Sequence, residues 1–122
     1  MKLPYKSNSY IPRNKLKGYL LSVTHPVGKF KAKYFKKIGF DISNASQLEK
    51  ELLSIAHNNE VSETKNVPYG VNYVINGKIK FQSTKETLIK TVWFIGNSSN
   101  KPRFVTAIPG IIRSKNGRKR YG

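Results

Sequence analysis

The sequence predicts an α+β domain, with N-terminal helices packed on one face of a four-stranded antiparallel β-sheet. Two observations predict it. Apolar residues recur at helical spacing as far as about residue 58, and at every second position beyond about residue 70. The two regimes do not interleave, so no βαβ unit and no parallel sheet is expected. Residues 1–12 read as an extended arm punctuated by Pro4 and Pro12. Arg13 to Leu21 reads as a short amphipathic helix with Leu16, Tyr19 and Leu20 facing inward. A second helix is expected over 29–38, entered after Gly28 and capped by Gly39. A third starts at Ser43 or Ser46, where Ser46-Gln-Leu-Glu49 has the form of a capping box, and runs to about Asn58 through Ala45, Leu48, Leu52 and Ile55. Val71, Tyr73 and Ile75 then alternate as a strand, Asn76-Gly77 signals a hairpin turn, and Ile79 and Phe81 form the returning strand. Leu88 to Ile95 is apolar on both faces and so is expected at the centre of the sheet. Arg103 to Ile108 is the last strand, closed by Pro109-Gly110. The chain reads as one domain over 1–122, with a core of 13–110 and a basic tail over 111–122.

One residue does not fit its helix. At about 100° per residue, Phe30, Tyr34, Ile38 and Phe35 fall on one stripe, and Lys29, Lys33, Lys36 and Lys37 fall opposite. Lys31 lands inside the apolar stripe. Its stem could lie along the core edge with the ammonium in water. A lysine reaching into an anion site beside the core explains the placement better.

Charge narrows the function. The chain carries 23 Lys and Arg against 6 acids, for a net charge of +17, and its first 40 residues hold ten basic residues and no acid. Self-repulsion of that size opposes compaction and fits a polyanionic partner, nucleic acid or an anionic membrane surface, or equally a large acidic protein. No apolar run approaches the roughly 20 residues of a membrane span. There is no cysteine, and His25 and His57 lie far apart, so a cysteine-based zinc site is absent and no metal is expected. The six acids form no D-x-D or E-x-x-H pattern of a two-metal nuclease. No phosphate-binding glycine loop and no G-x-S-x-G is present, and no cofactor is expected.

Acid–base chemistry on phosphate needs none of these. In RNA the 2′-hydroxyl attacks its own phosphorus, and the protein moves two protons and stabilises phosphoryl charge. His25, in Thr-His-Pro at a helix N-terminus, is the candidate acid or base, beside Lys31. As an alternative it is a turn histidine bonded to local backbone. Thr91 and Trp93 share one strand face. Thr91 and Thr106 are candidate hydroxyl donors, though each alone would be an ordinary strand threonine. Trp93 reads either as core or as a stacking platform for a base. Lys29, Tyr73 and Arg103 are candidate substrate contacts.

K-L-K-G-Y-L-L (15–21), H-P-V-G-K-F-K-A-K-Y-F (25–35), Y-G-V-N-Y-V (69–74), T-V-W (91–93) and P-R-F-V-T-A-I-P-G (102–110) occur in that order. This ordered set resembles a family of small bacterial toxin-like proteins, similar in turn to the barnase–EndoU–colicin D–RelE group of ribonucleases. The resemblance covers about residues 13–110. It implies helices on a four-stranded antiparallel sheet, and a toxin ribonuclease cutting tRNA or other cellular RNA without a metal, leaving a 2′,3′-cyclic phosphate. It further implies His25, Lys31, Thr91 and Thr106 as the catalytic set, Trp93 as a substrate contact, and neutralisation by an acidic immunity or antitoxin protein. Action would be in the bacterial cytoplasm, by a free-standing protein or by the C-terminal module of a secreted toxin. Two departures bear on substrate choice: the loop Asn97–Lys101 is short and lacks acids, and the tail 113–122 lies beyond the match. The competing reading is a non-catalytic RNA- or DNA-binding protein, for which His25 and Lys31 would be dispensable. A third is an inactive relative serving as an interaction module.

Overall fold

Helix-forming sequence precedes strand-forming sequence, and the fold keeps that order. The structure, a computed structural model, describes residues 1–26, 28–79 and 86–109, with only the backbone of Pro109. Helix α1 (Arg13–Lys15) opens at once into a π-helical turn (Leu16–Leu20), and α2 (Gly28–Lys37) and α3 (Ala45–Asn58) follow. Strands β1 (Val61–Val67), β2 (Gly70–Ile79), β3 (Thr87–Gly96) and β4 (Arg103–Pro109) then pair antiparallel in the order β1-β2-β3-β4. The α+β class and the helices on a four-stranded antiparallel sheet are therefore as the sequence predicts.

Two strands differ from the expectation. Asn76-Gly77 is not a turn: β2 runs straight through it, with Asn76 opposite Lys90 and Gly77 opposite Ile89. The glycine serves helix packing instead. A Cβ at position 77 would lie 2.6 Å from Ile55 Cγ1, so only a bare backbone lets α3 sit this close to the strand. The strands expected over 71–75 and from Ile79 are thus one strand, and Phe81 lies outside the described residues. The fourth strand is β1, V-S-E-T-K-N-V, which shows no apolar alternation because it is an exposed edge strand with a partner on one side only. Its charges guard that edge, and it turns into β2 at Pro68-Tyr69.

The helix ends follow local chemistry. Gly39 has φ 108°, Phe40 N–H donates to the Phe35 carbonyl and Gly39 N–H to that of Lys36. This is a Schellman stop, with Phe35 and Phe40 both fully buried as its apolar clasp. The capping box before α3 is not Ser46–Glu49. Asp41 accepts from Ser43 N–H while Asn44 Oδ1 accepts from Asp41 N–H, so the chain enters α3 through a short 3-10 turn.

Ala45, Leu48, Leu52 and Ile55 of α3 are buried over β2 and β3. They meet Ile75, Ile89 and Trp93, which packs edge-to-face on Phe104 at 5.3 Å. The arm 1–12 is docked. Leu3 and Ile11 enter the core, Val61 N–H bonds the Met1 carbonyl, and Tyr10 forms a parallel bridge with Arg103. Helix α2 packs chiefly on the π-helical turn, which itself lies with α1 near β4. That second layer beside the β4 edge positions the site. The tail 111–122 and Gly110 lie outside the described residues.

Candidate active site

The sequence Ser22-Val-Thr-His25-Pro26 builds the head of α2. Ser22 Oγ accepts from the backbone N–H groups of Thr24 and His25, making a tight turn. The His25 carbonyl accepts from Lys29 N–H at 3.0 Å, and His25 Nδ1 accepts from Gly28 N–H at 2.9 Å. Those two bonds cap the head of α2 with His25, and Pro26, in the turn before the helix, has no N–H to leave unpaired. With Nδ1 accepting, Nε2 is the ring nitrogen placed to donate.

Gly28 sets the next distance. A Cβ there would overlap the Tyr19 carbonyl oxygen and stand 2.8 Å from the carbonyl carbon. The absent side chain brings α2 against the π-helical turn that carries Tyr19. His25 meets the Tyr19 ring edge-on, with centroids 5.1 Å apart. One turn along α2, Lys31 Nζ donates to Tyr19 Oη at 2.8 Å and to Thr106 Oγ1 at 2.6 Å.

Thr106 reaches that ammonium because of an irregularity in β4. The register passes from Val92↔Thr106 to Trp93↔Phe104, leaving Val105 as an extra residue. A bulge re-aims the neighbouring side chain. Regular alternation from Phe104 would have turned Thr106 inward with it and Ala107 outward. Instead Phe104 and Ala107 are both fully buried, and Thr106 stays half-exposed.

Tyr19, His25, Lys31 and Thr106 are all half-buried, within reach of solvent. Among the described residues no carboxylate pairs with Lys31, whose partners are the Tyr19 and Thr106 hydroxyl groups. No acid among them compensates its charge at the core edge. The charge acts on Tyr19: burial pushes the phenol up, but hydrogen bonds with Lys31 and Thr106 and the charges of Lys31 and Lys15 outweigh that and hold it below the usual tyrosine range. Lys15 Nζ lies 5.2 Å from the Tyr19 ring centroid.

Of the residues picked from sequence, His25, Lys31 and Thr106 come together, all around Tyr19. Thr91 and Trp93 do not join them, and this corrects the expected constellation. Both are 0% exposed. Thr91 Oγ1 donates to the Ile75 carbonyl at 2.7 Å and accepts from Trp93 Nε1 at 2.8 Å, so its hydroxyl is spent inside the core. No base can stack on Trp93 in this fold. Tyr73 lies opposite Trp93 on the inner face, half-buried and packed on the core. It is two strands from β4, about 10 Å at the usual strand spacing. Arg103 lies three residues from Thr106 on β4, its guanidinium 5.4 Å from the Phe94 ring centroid. Lys29 is exposed and covers the ring of Phe30 at 5.3 Å. Phe30 itself is 69% exposed, whereas the wheel had placed it on the buried stripe. The buried stripe is centred on Gly28, Ala32 and Phe35, with Lys31 at its margin.

Tyr19 is the residue that sequence reasoning missed as functional. A signal existed: a half-buried phenol needs a polar partner, and Lys31 was the one cation placed toward the core. The grooves beside α1, lined by Ile11, Leu16, Ser46 and Glu49 among others, contain none of the four site residues. Among the described residues, no three His, Cys, Asp or Glu side chains gather as a metal site, and no helix is long and apolar enough to cross a membrane.

A family model described as a domain of unknown function, DUF6883, matches residues 2–111. The chain belongs to this family. No curated protein matches it. Among solved structures it is similar to a chain of a contact-dependent growth inhibition toxin–immunity protein complex from Klebsiella pneumoniae 342. The TM-score is 0.63 at 19% identity, over 82% of this chain and 98% of that one. At that identity the likeness is one of fold.

Proposed function

We propose that this chain is a toxin ribonuclease that cuts tRNA or other cellular RNA by attack of the 2′-hydroxyl, leaving a 2′,3′-cyclic phosphate. The observation that carries the reading is the Lys31 ammonium, half-buried, without a carboxylate and held by the Tyr19 and Thr106 hydroxyls beside a histidine. Such a charge is arranged for an incoming anion, and a phosphoryl group gaining charge in its transition state is the anion that benefits most. In this reading Lys31 stabilises the phosphoryl oxygens and Thr106 bonds one of them. Lys29 and Arg103 hold flanking phosphates. Phe30, the exposed aromatic beside them, takes the stacking role expected of Trp93. Thr91, Trp93 and Tyr73 support the sheet beneath.

An acidic immunity protein acting in the bacterial cytoplasm fits the +17 charge. The neighbour's membership of a toxin–immunity complex supports the same reading. An immunity-like chain would have no use for an uncompensated lysine among hydroxyls, which favours the toxin side.

The test is incubation of the protein with total bacterial RNA in EDTA, comparing wild type with Lys31→Ala and His25→Ala, each checked for fold by circular dichroism. Discrete fragments with cyclic phosphate ends, lost in Lys31→Ala, are expected. Intact RNA bound equally by all three proteins would replace this reading with that of a non-catalytic binding module.

A further inference from the structure

We propose that Tyr19 is the group that takes the proton in this site and that His25 is a fixed hydrogen-bond donor, not the base; this rests on the ribonuclease reading above. The first argument is the tautomer. His25 Nδ1 accepts from Gly28 N–H as the cap of α2. With Nδ1 used as an acceptor, the ring carries its hydrogen on Nε2 and can only donate there. To accept a proton the ring would have to take it on Nδ1, which would make it an imidazolium, lose the cap, and leave a cation at the positive end of the helix.

The second argument is Tyr19 itself. Its hydroxyl receives the Lys31 ammonium at 2.8 Å. Among the described residues, the charged or titratable groups facing it are Lys31 from α2, Lys15 from α1 and His25 from the head of α2. Two of these three are cations and none is an acid, so Tyr19 gives up its proton more readily than an ordinary tyrosine.

The step balances. The 2′-hydroxyl proton passes to the Tyr19 phenolate, and the freed electron pair forms the O2′–P bond. The P–O5′ bond breaks, its pair stays on O5′, and O5′ takes a proton from the Lys31 ammonium. The Tyr19 phenol then returns its proton to the Lys31 amine along their existing hydrogen bond. Nε2–H of His25 holds a phosphoryl oxygen throughout.

The experiment is the rate of RNA cleavage against pH for wild type, Tyr19→Phe, His25→Asn and a protein carrying a fluorinated tyrosine at position 19. The fluorinated ring makes the phenol itself more acidic while changing few atoms, so it keeps the fold even if Tyr19→Phe does not. We expect Tyr19→Phe to lose about 10²–10⁴-fold, the usual share of a general base. The fluorinated protein should cleave with its acid limb moved to lower pH. His25→Asn, whose amide oxygen can still cap Gly28, should be slower with an unmoved limb. If wild type leaves RNA intact, the ribonuclease reading falls and this inference with it. If wild type cleaves and Tyr19→Phe matches it, the inference alone falls. It falls equally if the fluorinated tyrosine leaves the limb in place, which would make Tyr19 a positioning residue for Lys31, or if His25→Asn abolishes the limb.

Discussion

Gly28→Ala puts the geometry of the site under the sharpest test. Two effects oppose each other. Alanine favours a helix over glycine by up to about 1 kcal/mol. Against that, the new methyl would overlap the Tyr19 carbonyl oxygen and stand 2.8 Å from its carbon, where ordinary contacts lie near 3.5–4 Å. The obstacle is backbone, which has no rotamer to yield, so α2 must back away by roughly 1 Å. Overpacking of this kind costs about 1–3 kcal/mol, and the clash should win by about 1–2 kcal/mol. In a chain of this length that lowers Tm by roughly 4 °C per kcal/mol. A shift of about 1 Å between Tyr19 and Lys31 should also cut cleavage about 10²-fold. Gly18→Ala is the internal control, because its Cβ would meet only Asn14 Cβ at an ordinary 3.6 Å. That variant should be neutral or stabilising. Thermal unfolding by circular dichroism and the RNA assay measure both effects. A Gly28→Ala protein as stable as Gly18→Ala would refute the close approach on which the site's assembly depends.

Thr91→Val should separate support from chemistry. It removes the hydroxyl that bonds the Ile75 carbonyl and leaves Trp93 Nε1 without its acceptor inside the core, at about 1–3 kcal/mol. A lowered Tm with unchanged activity per folded molecule is expected, and lost activity at full stability would return Thr91 to the site. Asp41 carries an acid-range prediction. Hydrogen bonds from the Ser43 side chain and backbone hold its carboxyl below the usual carboxylate range. A depressed folded value means that its contribution is complete above the ordinary carboxylate range and is lost as pH falls through the lowered value. Asp41→Asn should therefore flatten the acid limb of the stability curve below about pH 4, and an unaltered limb would place that dependence elsewhere.

The helical half of the fold was legible because its signals are local. The Gly39 stop depends on the residues around it, and the Leu48-Leu52-Ile55 stripe needs only an apolar layer to face. The sheet was harder to read. Val61–Val67 buries no side chain fully, so edge-strand pairing left no apolar period to detect. Asn76-Gly77 misled because the same glycine that suits a turn also suits a helix seated on a strand, and only the position of Ile55 distinguishes them. The site divides in the same way. Lys31 and His25 stood out as chemically misplaced or well placed within one helix. Thr106 was legible only as a hydroxyl on a strand, since its aim comes from the bulge at Val105. Thr91 looked the same in sequence, yet its regular strand turned it into the core.

By itself, then, the sequence determined the α+β order of elements, the Gly39 stop of α2, the strongly basic net charge, and the presence of one lysine on the wrong side of a helix. These follow from spacing and composition over a few turns of chain. Tertiary structure alone decided what that lysine meets. Tyr19, Lys31 and Thr106 come from three elements spread over 88 residues of chain, and they touch because Gly28 lacks a side chain and β4 carries one residue too many. Neither the close approach of two backbones nor the aim of a bulged strand has a local period, so neither could be read before the chain was folded.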